Sequence, residues 1–487
     1  MNGAISKKGL TKVSDTMYRL ETTFQPGMRV PGHIYSNEKL IQAVINDNAL
    51  TQVANVATLP GIVKASIAMP DIHWGYGFCI GGVAAFDPNA GGVVSPGGVG
   101  YDINCGVRLI RTNLMVDEIR PRLKALVDQT YRDVPAGVGS EGRIVFERKS
   151  MRKVLRNGVR HILKEGLAWD SDLEKLEAHG TMPGADPDLI TDRAYERGKK
   201  QCGSLGAGNH FFEFQIVDEI FDDEAATAYG LNKGELVLMI HTGSRGLGHQ
   251  TCDDTLKIMR HAAEKYKYDL PDRQLACAPI DSPEGKDYVA AMSCAANFAW
   301  ANRSVLTYYA RNAFKKVLGE SSESLGMEIV YDVSHNIAKW EDHQVDGKKK
   351  KLLVHRKGAT RAFPPGHPEI SEKYRHIGQP VLIPGDMGSE SWVLRASENA
   401  MIETFGSCCH GAGRAMGRNQ ARKSIDFHEL LNRLESRGIM VRAGSKKGLV
   451  EDAPEAYKNV DDVIEVTHNA GISTRVARLK PIAVIKG

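Results

Sequence analysis

The sequence predicts a mixed α and β fold, with central β-sheets flanked by helices, in one domain covering residues 1–487. Three observations carry that expectation. Short apolar runs of strand length recur at 62–68, 82–86, 107–110, 236–240, 327–331 and 381–383, bounded by glycine or polar residues. Residues 282–318 read as one long helix or a broken pair, with Ser282 and Pro283 as the start signal. No internal repeat, low-complexity tract or long linker divides the chain.

In chain order, a first helix is expected after Ser36 as cap, because Leu40, Ile41, Val44 and Ile45 recur on one face. Residues 69–77, containing Asp71 and His73, read as a turn-rich loop between two apolar runs. A second loop, 97–106, has glycines at 97, 98, 100 and 106, which allow tight turns and close backbone approach. Two such loops so close in sequence imply that their strands are neighbours. Arg148, Arg152, Arg156 and Arg160 then form a basic stripe on a helix. The stripe fits a solvated face or a phosphate-tracking one. The surrounding segment, 143–200, is expected as a peripheral, basic helical insertion within the domain.

Composition limits the function classes. The 42% hydrophobic and 25% charged fractions are those of an ordinary globular protein. A net charge of +4 leaves any nucleic-acid contact to local basic patches. No apolar run approaches the roughly 18 residues of a membrane span. Residues 1–8 lack the apolar core of a signal peptide, and the eight scattered cysteines contain no CxxC pair, so a reduced, cytoplasmic protein is expected.

Asp102 and Cys105 stand three apart in the second glycine loop. The pair fits either a capped turn with a buried thiol or half of a metal site. His210 follows another glycine loop, and His241 and His335 each end a buried run. Strand ends position side chains rigidly, and five N, O and S donors exceed one tetrahedral site. Two ions sharing a bridging thiolate therefore become reasonable, a device common in phosphoryl chemistry.

The string Cys408-Cys409-His410-Gly411-Ala412-Gly413-Arg414 superficially resembles a dinucleotide fingerprint, but residues 397–404 before it read as helix. A glycine-flanked imidazole with an arginine four residues on fits a nucleophile beside a phosphate clamp. A redox role for Cys408 and Cys409 is disfavoured, because a bridge between adjacent cysteines is strained. No GxxxxGKS/T loop is present, and Gln344 occupies the lysine position of the nearest K-x-D-G-like string.

The strings GGVGYDINCGVR, GAGNHF-x-E, HTGSRGLGH, DVSHN, VHRKGATRAFPPG and CCHGAGR, with Lys486 and Gly487 after them, resemble the RtcB family of RNA-splicing ligases from about Met69 onward. The resemblance implies a single α/β domain with its active site in a cleft lined by strand ends and glycine-rich loops. It implies a GTP- and manganese-dependent ligase that joins RNA 2′,3′-cyclic phosphate or 3′-phosphate ends to 5′-hydroxyl ends, in tRNA splicing or RNA repair. Cys105 would bridge two Mn²⁺ ions, with Asp102 and His210 on one and His241 and His335 on the other. His410 would carry GMP, and Asp71 would help orient the RNA end. Asn209, Glu213, Asn336, Asp386, Ser391, Gly411, Gly413, Arg414 and Lys486 would bind the nucleotide; Asp386 stands where some members have serine. Arg148, Arg152, Arg156 and Lys357 are the candidate RNA contacts. A monomer is expected, with archease as a candidate activating partner. The alternatives are a two-metal phosphohydrolase or nuclease using the same donors without a nucleotide, and a non-catalytic RNA-binding protein.

Overall fold

Two antiparallel-rich sheets dominate the computed structural model, which describes residues 9–487. The first has seven strands in the spatial order Leu10–Lys12, Met17–Leu20, Gly32–Tyr35, Ile62–His73, Ile80–Phe86, Lys348–Lys357, Asn336–Val345. The second runs Ile329–Ser334, Gly106–Met115, Glu235–Thr242, Phe211–Ile220, Ser473–Lys486, Ser391–Ala396, Pro380–Ile383, with Met440–Ala443 added in parallel against Ser473–Lys486. The expected mixed α and β architecture is present.

At one of its crossings the chain passes between the sheets through a single residue. Ile329–Ser334 is the edge of the second sheet and Asn336–Val345 the edge of the first, so His335 sits at the crossing. The long helix is unbroken over Pro283–Leu318, and Ser282 caps it by accepting the Gly285 N–H. Its central turns are buried all round, which explains why it lacks an amphipathic stripe. From it Arg303, wholly buried, forks onto Asp332 at 2.8 and 2.9 Å, and Arg108 reaches the same carboxylate at 2.8 Å.

Several sequence expectations need correction. The first helix, Glu38–Asn46, is capped by Asn37 and not Ser36: Asn37 Oδ1 accepts the Leu40 N–H at 2.9 Å. The first half of the 69–77 loop is strand, since Ile62–His73 continues through Pro70 and Asp71. That strand pairs with Ile80–Phe86, but the strand after the second glycine loop belongs to the other sheet. The two loops therefore meet across a cleft and not along a ladder. The basic stripe is broken where Gly158 turns at φ 53, separating Arg148–Asn157 from Val159–Lys164. The 143–200 segment is not peripheral in its packing. Met151, Val154, Leu155 and Ile162 join the main core, and buried Glu177 accepts from the Ser334 N–H at 2.8 Å and from Lys339 Nζ at 2.7 Å. A three-residue strand, Ser407–Cys409, separates the expected helix, Glu398–Thr404, from the His410 loop.

Candidate active site

Strand register gathers side chains that lie far apart in sequence. Gly106 pairs with Ser334 on one side and Thr242 on the other, and Phe211 pairs with His241. Cys105, His335 and His210, each one step outside these pairs, therefore leave the sheet at the end occupied by His241. Glycine is required at 106, because a Cβ there would lie 2.2 Å from Val333 O. His210 precedes its strand and sits in the turn, so strand alternation does not separate it from Asn209 and Glu213.

Cys105 Sγ lies 3.4 Å from His210 Nε2 and 3.3 Å from His241 Nε2. His241 Nε2 is 3.2 Å from His335 Nε2, and His210 Nε2 is 2.9 Å from Asp102 Oδ2. Two donor sets thus share one sulfur: Asp102, Cys105 and His210, and Cys105, His241 and His335. Thiolate, imidazole and carboxylate together fit a first-row transition-metal ion. Burial holds His241 and His335 neutral, far below the usual imidazole range, so each ring keeps a nitrogen lone pair for coordination, and it is the Nε2 atoms that face Cys105 and each other. Burial, reinforced by the Asp102 charge, pushes the Cys105 thiol well up, so cation binding there would expel a proton. Burial opposes ionisation of Asp102, yet its hydrogen bond and attraction to His210 hold it below the ordinary carboxylate range.

The supports of these groups are themselves fixed. His210 Nδ1 donates to Leu205 O at 3.1 Å, which leaves Nε2 as the coordinating nitrogen. Arg303 Nη1 donates at 2.9 Å to both Asn104 O and Thr242 O, tying the glycine loop to the strand of His241. Asn336 Nδ2 donates to Asp102 O at 3.1 Å and its Oδ1 accepts the Gly358 N–H at 2.9 Å.

His410 faces the donor sets from the other side of the cleft, its ring centre 4.9 Å from that of His335. Asp71 Oδ2 accepts its backbone N–H at 3.0 Å and its Nδ1–H at 2.5 Å. A carboxylate on Nδ1 leaves the Nε2 lone pair available as a nucleophile. Gly413, at φ 75, lets this loop lie against the Asp71 strand; a Cβ there would come within 2.2 Å of Asp71 O. Gly411, Arg414, Asn209, Asn336, Asp386 and Lys486 also line the cleft. Arg414 is engaged by protein, donating to Asp452 Oδ1 at 2.8 Å and Glu451 O at 2.7 Å. Lys486 Nζ bonds Gly208 O at 2.7 Å and lies 3.2 Å from Asp452 Oδ2.

Glu213 is buried beside this end of the cleft. Burial raises its carboxyl to about 8, and its Oε1 has no hydrogen-bond partner among the described residues. Gln215 Nε2 bridges Glu213 Oε2 at 2.8 Å and Ser391 Oγ at 2.9 Å. Asp386, also raised by burial, accepts from Ser389 Oγ at 2.7 Å and from the Gly388 N–H at 2.8 Å.

The candidate RNA contacts lie outside the cleft lining. Arg148 and Arg152 form exposed ion pairs with Asp192 and Asp188, at 2.5 and 2.6 Å, and Arg156 is exposed on the same helix. Lys357 is buried, bonded to the carbonyls of Tyr76 and Phe78, and burial lowers it to about 8. Sequence reading missed Asp452, a wholly buried carboxylate joining Arg414, Lys486 and the Tyr457 hydroxyl. It also missed Lys458, whose Nζ donates to Ile72 O at 2.5 Å while its N–H donates to Gly413 O at 2.9 Å. Neither carries a spacing signal, since both sit in ordinary polar stretches.

Buried cation donors that share one sulfur, faced by an imidazole with a free nitrogen, are the equipment of an enzyme and not of a binding module. Comparison with known proteins agrees. The family model described as tRNA-splicing ligase RtcB matches residues 52–487. A tRNA-splicing ligase RtcB of Methanococcus maripaludis is 53% identical over 99% of this chain and 100% of its own length. One from Thermococcus kodakarensis is 55% identical over 95% of this chain and 96% of its own, and one from Archaeoglobus fulgidus 52% over 98% and 99%. The chain belongs to the RtcB family of tRNA-splicing ligases, as its motifs imply. No helix among the described residues is long and apolar enough to cross a membrane.

Proposed function

We propose that this enzyme joins an RNA 2′,3′-cyclic phosphate or 3′-phosphate end to a 5′-hydroxyl end, with GTP as co-substrate and a guanylated histidine as intermediate. The observation that carries the reading is the Asp71–His410 pair set against the shared donor groups of Cys105. Asp102, Cys105, His210, His241 and His335 would hold two manganese ions, whose bound charge neutralises phosphate oxygens.

Asp71 fixes the His410 ring and stabilises the proton on Nδ1 while Nε2 attacks the α-phosphorus of GTP. A nitrogen–phosphorus bond forms and the bond to pyrophosphate breaks. The RNA 3′-phosphate then takes the guanylyl group from His410, so that its phosphorus now carries GMP as a good leaving group. Attack by the 5′-hydroxyl forms the new phosphodiester and expels GMP. A cyclic phosphate is first opened by water. Glu213, with Ser391 and Lys486 nearby, would read the guanine and its ribose, and Asn209 and Arg414 the phosphates. A phosphohydrolase with the same donors would leave the Asp71–His410 pair without a task.

The test is incubation with α-labelled GTP and manganese, followed by ligation of a cyclic-phosphate RNA to a 5′-hydroxyl RNA. Covalent label lost in His410→Ala, with ligation that requires GTP, supports the ligase. RNA cleavage without GTP and no label would favour the phosphohydrolase.

A further inference from the structure

A second cavity, of 460 Å³, opens beside the cleft. Asp102, Asn209 and Arg418 line both spaces. Cys105, His335 and His410 face only the first, while Tyr101, His210 and His249 face only the second. The donor set of Asp102 and His210 is therefore reached by two routes. Lys486 lines one and Gly487 the other, and Lys486 Nζ is bonded to Gly208 O in the wall between them.

The second cavity differs in chemistry from the first. The Tyr101 and His249 rings lie 5.9 Å apart and are tilted by only 31°, and Tyr76 meets Tyr101 edge-on at 5.4 Å. His249 is exposed and Tyr101 half-buried, so a planar group can reach both. Arg418 and Lys447 are exposed on the rim and have no ion-pair partner among the described residues. Arg148 and Arg152, by contrast, are already neutralised by aspartates.

We infer that the second cavity receives the phosphate-bearing RNA end, with a terminal base against Tyr101 and His249 and backbone phosphates along Arg418 and Lys447. This rests on the ligase reading, in which nucleotide and RNA must meet at one set of cation donors. Tyr101 is adjacent in sequence to Asp102, so a base against its ring brings its own phosphate toward those donors. Every base has a π-face, so aromatic stacking binds ends of any sequence, and free cations follow the backbone. His410, the nucleophile toward GTP in that reading, lines the first cleft and not the second, which assigns GTP to the first.

The test uses the full chain and a single-stranded RNA with a 3′-phosphate, in anisotropy titrations at two salt concentrations. Tyr101→Ala and His249→Ala should each raise Kd about tenfold, the scale of one lost stacking contact. Lys447→Glu should weaken binding and flatten the salt dependence. Tyr101→Phe, which keeps the ring, should bind like the parent, and labelling by GTP should stay close to the parent's in all four variants. Unchanged RNA affinity in Tyr101→Ala, His249→Ala and Lys447→Glu would overturn the inference. So would a Tyr101→Phe variant as weak as Tyr101→Ala with labelling lost, which would place the effect in Asp102. If the parent takes no label from GTP while RNA affinity responds as expected, the ligase chemistry falls and the RNA cavity stands.

Discussion

Asp71 holds His410 by two hydrogen bonds to a single carboxylate oxygen, one from the backbone N–H at 3.0 Å and one from Nδ1 at 2.5 Å. The other oxygen, Oδ1, is buried without a hydrogen-bond partner among the described residues, so the side-chain hydrogen bonding of this carboxylate there is spent on one imidazole. Asp71→Asn preserves the shape but removes the charge that stabilises a protonated Nδ1. Single-turnover labelling by GTP is expected to slow by about 10²–10⁴-fold, the range for a positioned acid–base partner. A labelling rate equal to the parent's would remove Asp71 from the chemistry.

Metal loading should depend on Cys105 and on pH. Burial and Asp102 keep the free thiol protonated, so uptake of a cation releases a proton and apparent affinity rises with pH from 6 to 8. Isothermal titrations with Mn²⁺ in buffers of different ionisation heat measure that proton. At a free metal concentration of about 100 Kd, the folded state should gain about 2.7 kcal/mol, seen as a higher Tm. Cys105→Ser, with a hydroxyl that stays protonated, should lose most of both effects; unchanged metal stoichiometry in Cys105→Ser would count against a shared sulfur.

The Arg303 guanidinium bonds Asp332 while tying Asn104 to Thr242. Arg303→Met removes one partner of a wholly buried ion pair, and a loss of about 3–5 kcal/mol is expected in urea unfolding. Part of the Asp332 charge remains balanced by Arg108, so the lower end of that range is the better expectation. A loss within experimental error would show that Arg303 is dispensable to the fold.

The donor residues were largely legible in the sequence, because histidine ending a buried run is conspicuous, as at 241 and 335. Their convergence was expected from the donor types and the family resemblance, but the register that achieves it, Gly106 pairing with both Thr242 and Ser334, is one that no local pattern encodes. Asp71 was singled out, but in a segment whose proline and glycines suggested a loop, whereas long-range pairing extends the strand through it. Arg303 and Asp452 were invisible for another reason. A charged residue in a helix or polar stretch ordinarily faces solvent, and only the tertiary structure shows these two buried with partners. The basic stripe shows the converse: its spacing was visible, but Asp188 and Asp192, which neutralise two of its arginines, lie far along the chain.

Glu213 should make both stability and nucleotide binding respond to pH. Its carboxyl is raised from 4.5 to about 8 by burial, so the folded state retains a proton that the unfolded chain releases. Its contribution to stability is complete below pH 4.5 and is lost as pH rises through 8. Glu213→Gln removes this loss, so the Tm of the variant relative to the parent should climb between pH 5 and 8. Acceptance of guanine N–H groups requires the ionised carboxylate, so GTP affinity of the parent should strengthen with pH over the same interval. Melts and GTP titrations at pH 5, 6.5 and 8 check both; a flat difference in Tm would contradict the buried proton.

His410 Nε2 is the proposed acceptor of the guanylyl group. Peptide mapping by mass spectrometry after reaction with GTP and Mn²⁺ tests this assignment most directly. A guanylyl adduct is expected on the imidazole of His410, labile in acid and stable in base as a phosphoramidate is, and absent from His410→Ala. An adduct on a lysine, or one that persists in His410→Ala, would contradict it.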